Sequence, residues 1–285
     1  MSDKKDIIII GGGPAGLSAA LTAINRGRDV LIIGRGSKDS GLSRAPEINN
    51  YPGIAGISGL ELQERMENHA ASAGAVFHDA QAVSIVSVSG GFYVSAGADF
   101  FECSAVVLAV GITQKQLYPG EQEFLGAGVS YCATCDGMLY RNKRVAVIGQ
   151  SAEALHETEF LKSIGCDVLF FTNKTTDLDS SIPVFYGKKY EIFGDDKVRR
   201  ITADDASFDV DGVFILRSSI AMTSMLPELE LSGGHISVDR SMKTNIDGVF
   251  AAGDCTGLPY QIAKAVGEGN IAGLSAAEWV QAHNR

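Results

Sequence analysis

The chain has 285 residues, 45% of them hydrophobic and 20% charged, with 33 glycines, a net charge of −10 and a pI near 5.0. That length suits about two domains, and the acidic balance argues against general nucleic-acid binding or an anionic membrane surface. No apolar run is long enough to span a bilayer, Lys4-Lys5 leads into only four apolar residues, and five scattered cysteines do not resemble a disulfide-stapled secreted scaffold, so a cytoplasmic setting is expected.

In chain order, the first element is a short buried-type strand, Ile7-Ile8-Ile9-Ile10. Gly11-Gly12-Gly13-Pro14-Ala15-Gly16 follows, then Leu17, Leu21 and Ile24 at helical spacing. Strand, G-x-G-x-x-G and helix in that order suit a dinucleotide pyrophosphate. The first glycine permits the turn, the second lets backbone approach the phosphates, and the third lets helix pack on strand. A second strand, Val30–Ile33, comes at βαβ distance, but Gly34-Arg35-Gly36 stands where a ribose-binding acid often ends it.

Residues 34–60 form a glycine- and serine-rich stretch carrying Asn49-Asn50-Tyr51-Pro52-Gly53, and a polar helix runs from about Gly59 to Gly74. Strand-like runs follow at Gln81–Val88 and Phe92–Ala96, then a buried strand from Ala105 ending Ala109-Val110-Gly111. Ser130-Tyr131-Cys132-Ala133-Thr134-Cys135-Asp136-Gly137 lies near the middle of the chain. Two thiols at that spacing suit dithiol–disulfide exchange; half of a zinc site and a structural thiol pair are the alternatives. Cys103, Cys166 and Cys255 stand singly, and the five histidines show no ligand spacing, so no metal is expected. Cys103 and Cys166 fall in or beside apolar strands and read as buried structural thiols, and Cys255 as packing.

After the pair, the strand Val145–Gly149 opens a second loop, Gly149-Gln150-Ser151-Ala152-Glu153-Ala154. Ser151 stands where backbone would approach a pyrophosphate, and Glu153 puts a carboxylate at a helix start that would otherwise receive phosphate. The strand Val168–Phe171 runs into Thr172-Asn173-Lys174, and a last strand is expected over Gly212–Arg217. Gly248-Val249-Phe250-Ala251-Ala252-Gly253-Asp254 comes near the end.

The GGGPAG start, the N-Y-P-G loop, the strand ending Ala-x-Gly, the central C-A-T-C-D and the closing G-V-F-A-A-G-D together resemble the low-molecular-weight thioredoxin reductases. The resemblance implies an α/β fold of two Rossmann-like domains, homodimeric, with FAD as cofactor. In it a discontinuous FAD domain, 1–112 and 243–285, receives an inserted, shortened disulfide domain, 113–242, that resembles a degenerate NADPH domain. Residue by residue it implies FAD contacts at Gly11, Gly13, Pro14, Ala15, Gly16, Gly34, Arg35, Gly41, Asn50, Val83, Ala109, Gly111, Gly253, Asp254, Gln261 and Ile262. It also implies that Cys135 lies against the flavin, that Cys132 attacks the thioredoxin disulfide, and that Asp136 is the acid–base. Helix capping is the bland alternative for Asp136.

Departures from that family fix the expected donor. Ser40-Gly41-Leu42-Ser43 replaces the usual Gly-Gly-Gln-Leu, Tyr260-Gln261-Ile262 replaces Arg-Gln-Ala, and the second nucleotide loop has lost its glycine and its basic partners. The pattern is similar to the pyridine-nucleotide-independent branch, which includes the ferredoxin-dependent flavin enzymes. Expected partners are therefore thioredoxin as substrate and ferredoxin as donor, the latter docking on a basic patch. Candidates are Arg141-Lys143-Arg144, Lys197-Arg199-Arg200, or Arg35, Lys38 and Arg44. A conventional NADPH-dependent reductase, a diflavin-linked oxidoreductase and a non-catalytic flavin sensor are the alternatives.

Overall fold

Four isoleucines in a row, with no polar alternation, suit a strand covered on both faces, and Ile7–Ile10 form the buried part of β1 (Lys5–Ile10). The structure, a computed structural model, describes residues 4–34, 40–111, 117–131, 133–150, 154–173, 178–216 and 222–283. Among the expected site residues, Arg35 and Cys132 lie outside this set, as does the side chain of Cys135. Two compact units result, one of Met1–Thr113 with Met225–Arg285 and one of Gln114–Ser224.

In the first unit, β1 leads through Gly11–Gly13 into α1 (Pro14–Ile24), whose N-cap is Gly13 with proline in the first turn. Proline is favoured there because its missing N–H is one that a helix start leaves unbonded anyway. β2 (Val30–Ile33) follows, then α2 (Gly59–Ser72), started by the Ser58 hydroxyl accepting from the Glu61 N–H at 3.2 Å. Next come β3 (Val76–His78) and the antiparallel meander of β4 (Ala82–Val88), β5 (Gly91–Ala96) and β6 (Asp99–Leu108).

The sheet order is β3-β2-β1-β6-β5-β4, with β1, β2, β3 and the far half of β6 parallel. β6 has two halves on one edge. Asp99–Cys103 pairs with β5, which leaves Val106–Leu108 for a strand supplied much later.

The second unit is contiguous. It contains β7 (Val129–Ser130), α3 (Ala133–Asp136), β8 (Arg144–Gly149), α4 (Ala154–Ser163), β9 (Asp167–Thr172) and β10 (Val184–Tyr186). An antiparallel trio follows, β11 (Tyr190–Gly194), β12 (Val198–Ala203) and β13 (Ala206–Asp209), and then β14 (Gly212–Leu216). The parallel sheet runs β10-β9-β8-β14-β7, around a core of Val145, Val147, Phe170, Phe214 and Leu161.

The chain returns to the first unit through α5 (Met222–Met225), β15 (Leu231–Ser232) and β16 (His235–Ile236), then β17 (Val249–Ala251) and α6 (Ile262–His283). β17 is the late strand: it pairs parallel to β6, Val249 opposite Val106. The first unit resumes at Met225, while the resemblance implies a second FAD-domain segment from residue 243. Leu226, Leu229 and Ile236 are buried, and the Asn245 side chain bonds both the Glu228 carbonyl and the Glu230 N–H, stitching this stretch to the closing segment. On α6, a Cβ at Gly269 or Gly273 would run into the carbonyl oxygens of Ala15 and Ala19. Small residues thus let the α1 and α6 backbones touch.

Candidate functional site

Four parallel strands of the first unit, β1, β2, β6 and β17, bring their C-terminal ends to one edge of the sheet, the side on which open α/β sheets bind ligands. Gly11, at φ 112°, can be nothing larger, because a Cβ would enter the Ala109 carbonyl. Gly16 lies against the Gly11 carbonyl, and a Cβ on Gly34 would come to 3.0 Å of the Gly12 nitrogen. Gly253, at φ 90°, sits where a Cβ would be 2.8 Å from the Ala15 Cβ. Gly11, Gly16, Gly34, Ala109, Gly253 and Ala15 are therefore one cluster.

Gly13 and Gly111 differ from these: among the described residues a Cβ on either would meet nothing within 4 Å. The first turn of α1 carries no acidic side chain. Asp254, half-buried at the start of the short 3-10 turn Asp254–Thr256 that follows β17, has its carboxyl pushed up chiefly by burial, with Lys264 pulling down and Glu268 adding to the rise.

Other expected contacts gather nearby through longer links. The Asn50 carboxamide donates to Gln261 Oε1 at 2.8 Å, across 211 residues of chain. Ile262 packs against the small apolar group of Ile48, Ile57 and Leu62, with Leu42 and Tyr51. Gly41 caps the short 3-10 turn Leu42–Arg44. Val83 stands apart: it sits at a register shift in β4, three strands from β1.

Sequence reasoning missed three side chains that hold these loops. Gln63, fully buried on α2, donates from Nε2 to the Gly12 carbonyl at 2.6 Å and to Glu67 at 2.9 Å. On α6, Glu268 accepts from the Gly253 N–H at 2.9 Å and from Thr256 at 2.8 Å. Lys264, one turn earlier, reaches the Gly253 carbonyl at 2.9 Å, Gly257 at 2.6 Å and Glu268 itself at 3.1 Å. The i, i+4 spacing of Lys264 and Glu268 was a visible signal, but it does not name their target.

In the second unit, carboxylates hold the cysteine-bearing segment from three directions. The Ser130 hydroxyl donates to Asp136 Oδ2 at 2.7 Å, so Asp136 is tied back to β7; it begins the 3-10 turn Gly137–Tyr140 without a side-chain cap. The Tyr131 hydroxyl donates to Glu121 Oε1 at 3.0 Å, and Glu121, fully buried, also accepts from the Tyr118 N–H. From α4, Glu157 Oε2 accepts from the Ala133 N–H at 3.1 Å. Gly137 lets α3 close on α4, since a Cβ there would lie 2.9 Å from Leu161.

The end of β8 is packed by neighbouring rings. A Cβ on Gly149 would strike the Phe170 ring, and the Gln150 carboxamide bonds the Tyr118 hydroxyl. Ser151, Glu153 and Lys174 lie outside the described residues. The remaining thiols are buried, as the sequence suggests. Burial pushes Cys103 and Cys255 up to about 12, and also raises Cys166, whose Sγ donates to the Tyr140 carbonyl.

Residues 5–269 match the family model described as pyridine nucleotide-disulphide oxidoreductase. The chain is 31% identical to a thioredoxin reductase of Listeria monocytogenes, over 97% of this chain and 94% of that one. It is 32% identical to the thioredoxin reductase of Treponema pallidum, over 98% of each. Among solved structures it resembles a ferredoxin-flavin thioredoxin reductase from Clostridium acetobutylicum, with 38% identity, a TM-score of 0.91 and 98% of each chain covered.

Thioredoxin reductases of this family bind FAD, and the first unit suits that cofactor. Its glycines crowd backbone on one side and leave Gly13 and Gly111 open on the other, at a helix start free of acidic side chains. The chain belongs to the pyridine nucleotide-disulphide oxidoreductase family, as a flavin-dependent disulfide oxidoreductase of its thioredoxin reductase group.

Proposed function

We propose that this protein reduces thioredoxin with electrons from reduced ferredoxin and not from NAD(P)H, using FAD and a Cys132–Cys135 redox pair. The observation that carries the choice of donor is the end of β8, at Gly149 and Gln150. There the family's second nucleotide site would need open backbone, and here Gln150 is bound to Tyr118 while Phe170 covers Gly149. Glu157, in the first turn of the following helix, is engaged with the Ala133 N–H. An anionic pyrophosphate would meet a carboxylate at that helix start. The 0.91 TM-score to a ferredoxin-flavin thioredoxin reductase supports the same donor.

In this reading the split unit is the FAD domain and Gln114–Ser224 carries the disulfide. Gly11–Gly16 and Asp254 hold the pyrophosphate and ribityl end, and Asn50 with Gln261 lies toward the ring system. Bound FAD supplies a centre that takes electrons singly and returns them as a pair.

The residues of the chain do the rest. Cys132, as thiolate, attacks the thioredoxin disulfide and forms a mixed disulfide; Cys135 then displaces the reduced thioredoxin and closes the Cys132–Cys135 bond. Asp136, held by Ser130, gives and takes the proton at the sulfurs. Each turnover consumes two reduced ferredoxins and two protons for one dithiol. A donor near roughly −400 mV and an acceptor near about −270 mV make that exchange downhill by about 6 kcal/mol per electron pair.

The test is anaerobic mixing of the FAD protein with NADPH, NADH and chemically reduced ferredoxin in turn, following loss of flavin absorbance. Ferredoxin alone is expected to bleach it. Saturable bleaching by micromolar NADPH would restore the conventional reductase.

A further inference from the structure

Gln63 is a fully buried polar side chain on α2, and its carboxamide bonds two loops of the first unit and one residue of its own helix. One Nε2 hydrogen goes to the Gly12 carbonyl at 2.6 Å and the other to Glu67 Oε1 at 2.9 Å. Its Oε1 accepts from the Ser40 hydroxyl at 3.1 Å. Ser40 Oγ in turn accepts from the N–H groups of Leu42 at 3.1 Å and Ser43 at 3.4 Å. Two loops 28 residues apart in sequence are thus strapped to one side chain.

A trans peptide points its C=O and the following N–H in opposite directions. Drawing the Gly12 carbonyl toward Gln63 therefore turns the Gly13 N–H the other way. Gly13 is the N-cap of α1, and its Cβ side is open. A backbone N–H at a helix start has no partner within the helix and is a phosphate donor. We propose that Gln63 is a positioning residue for FAD: it fixes the peptide plane of the phosphate loop and couples that loop to Ser40–Ser43.

Gln63 acts on a conformation that FAD uses, so its loss is expected to weaken cofactor binding more than it weakens the apoprotein. Gln63→Met keeps length and burial and removes every polar atom. The expected result is a rise of about tenfold in the dissociation constant for FAD, the order of one hydrogen bond. ADP, which carries the pyrophosphate without the flavin, should weaken as a competitor by the same factor. Ser40→Ala removes the other end of the strap and should raise the FAD constant about threefold, by the loss of part of one bond. The double variant should bind no worse than Gln63→Met alone, because the two act through one chain of contacts.

The assay is titration of apoprotein with FAD by fluorescence quenching, with urea midpoints of the apo forms measured in parallel. An FAD constant within twofold of wild type in Gln63→Met would overturn the proposal. So would loss of FAD affinity without loss of ADP affinity, or fully multiplicative effects of the two substitutions. If Gln63→Met does not fold, Ser40→Ala alone decides: unchanged FAD affinity rejects the strap.

Discussion

Glu268 gives the sharpest test of how the Gly253 turn is held. Its carboxylate accepts from the Gly253 N–H and from Thr256, and pairs with Lys264 at 3.1 Å, with both side chains less than one-fifth exposed. Glu268→Ala leaves the Gly253 N–H and the Thr256 hydroxyl without that acceptor, whereas Lys264 keeps the carbonyls of Gly253 and Gly257. Each lost bond to a charged group is worth about 1.5–3 kcal/mol, and entry of water at a partly exposed site returns some of it. A net loss of about 3 kcal/mol in the first unit is expected. With a urea dependence of about 2 kcal/mol per molar, the midpoint falls by roughly 1.5 M. Glu268→Gln keeps one acceptor oxygen and should lose only about 1 kcal/mol. The single tryptophan of the chain, Trp279, lies on the same helix and reports unfolding of this unit by fluorescence. A shift below about 0.3 M for Glu268→Ala, or equal damage from both variants, would refute the reasoning.

The two sulfurs should separate by function: Cys135→Ser is expected to accumulate a mixed disulfide between Cys132 and thioredoxin, seen by mass spectrometry, while Cys132→Ser accumulates none. Turnover of thioredoxin by Cys135→Ser would show the roles assigned wrongly. Thiol labelling divides the cysteines differently. With Cys103 and Cys255 raised to about 12 and Cys166 also raised, all three stay protonated at pH 8, so iodoacetamide on the reduced native protein should modify Cys132 and Cys135 only. At low pH, Asp179 matters: bonds from Ser181, and then Lys162, bring its carboxyl down from 3.8 to about 2. The stability it contributes is present above the unfolded value and lost as pH falls through the folded one, so Asp179→Asn should differ from wild type at pH 5 and converge with it near pH 2 in urea midpoints.

The glycine motifs were legible because each meets a local demand. Gly11 and Gly253 need positive φ, and Gly16 needs room for a carbonyl, demands the G-x-G-x-x-G and A-A-G-D stretches announce. The strands Ile7–Ile10, Val30–Ile33 and Val145–Gly149 were legible as apolar runs, and all three are buried. Gln63 was not, since a glutamine in a polar helix carries no periodic signal, and its purpose appears only when Gly12 arrives 51 residues away in sequence. Asn50 and Gln261 were singled out only through family resemblance, each as an FAD contact, and the bond between them had no sequence signal. The meander β11–β13 was missed because its alternation is broken by Arg199-Arg200 and Asp204-Asp205. The packing of the stretch from Met225 was not legible because Leu226, Leu229 and Ile236 have no motif, only burial.

The shared edge of β6 sets an order on synthesis. Val106–Leu108 waits for Val249–Ala251, and the whole of Gln114–Ser224 is made in between. At ribosomal rates of about 5–20 residues per second, that edge stays unpaired for on the order of ten seconds, while the contiguous middle unit has all it needs to fold. Gly11–Gly16 and Gly253 are translated more than 230 residues apart. Closure of the first unit is thereby a late event of synthesis: the α1–α6 and β6–β17 contacts can form only after the closing segment has left the ribosome.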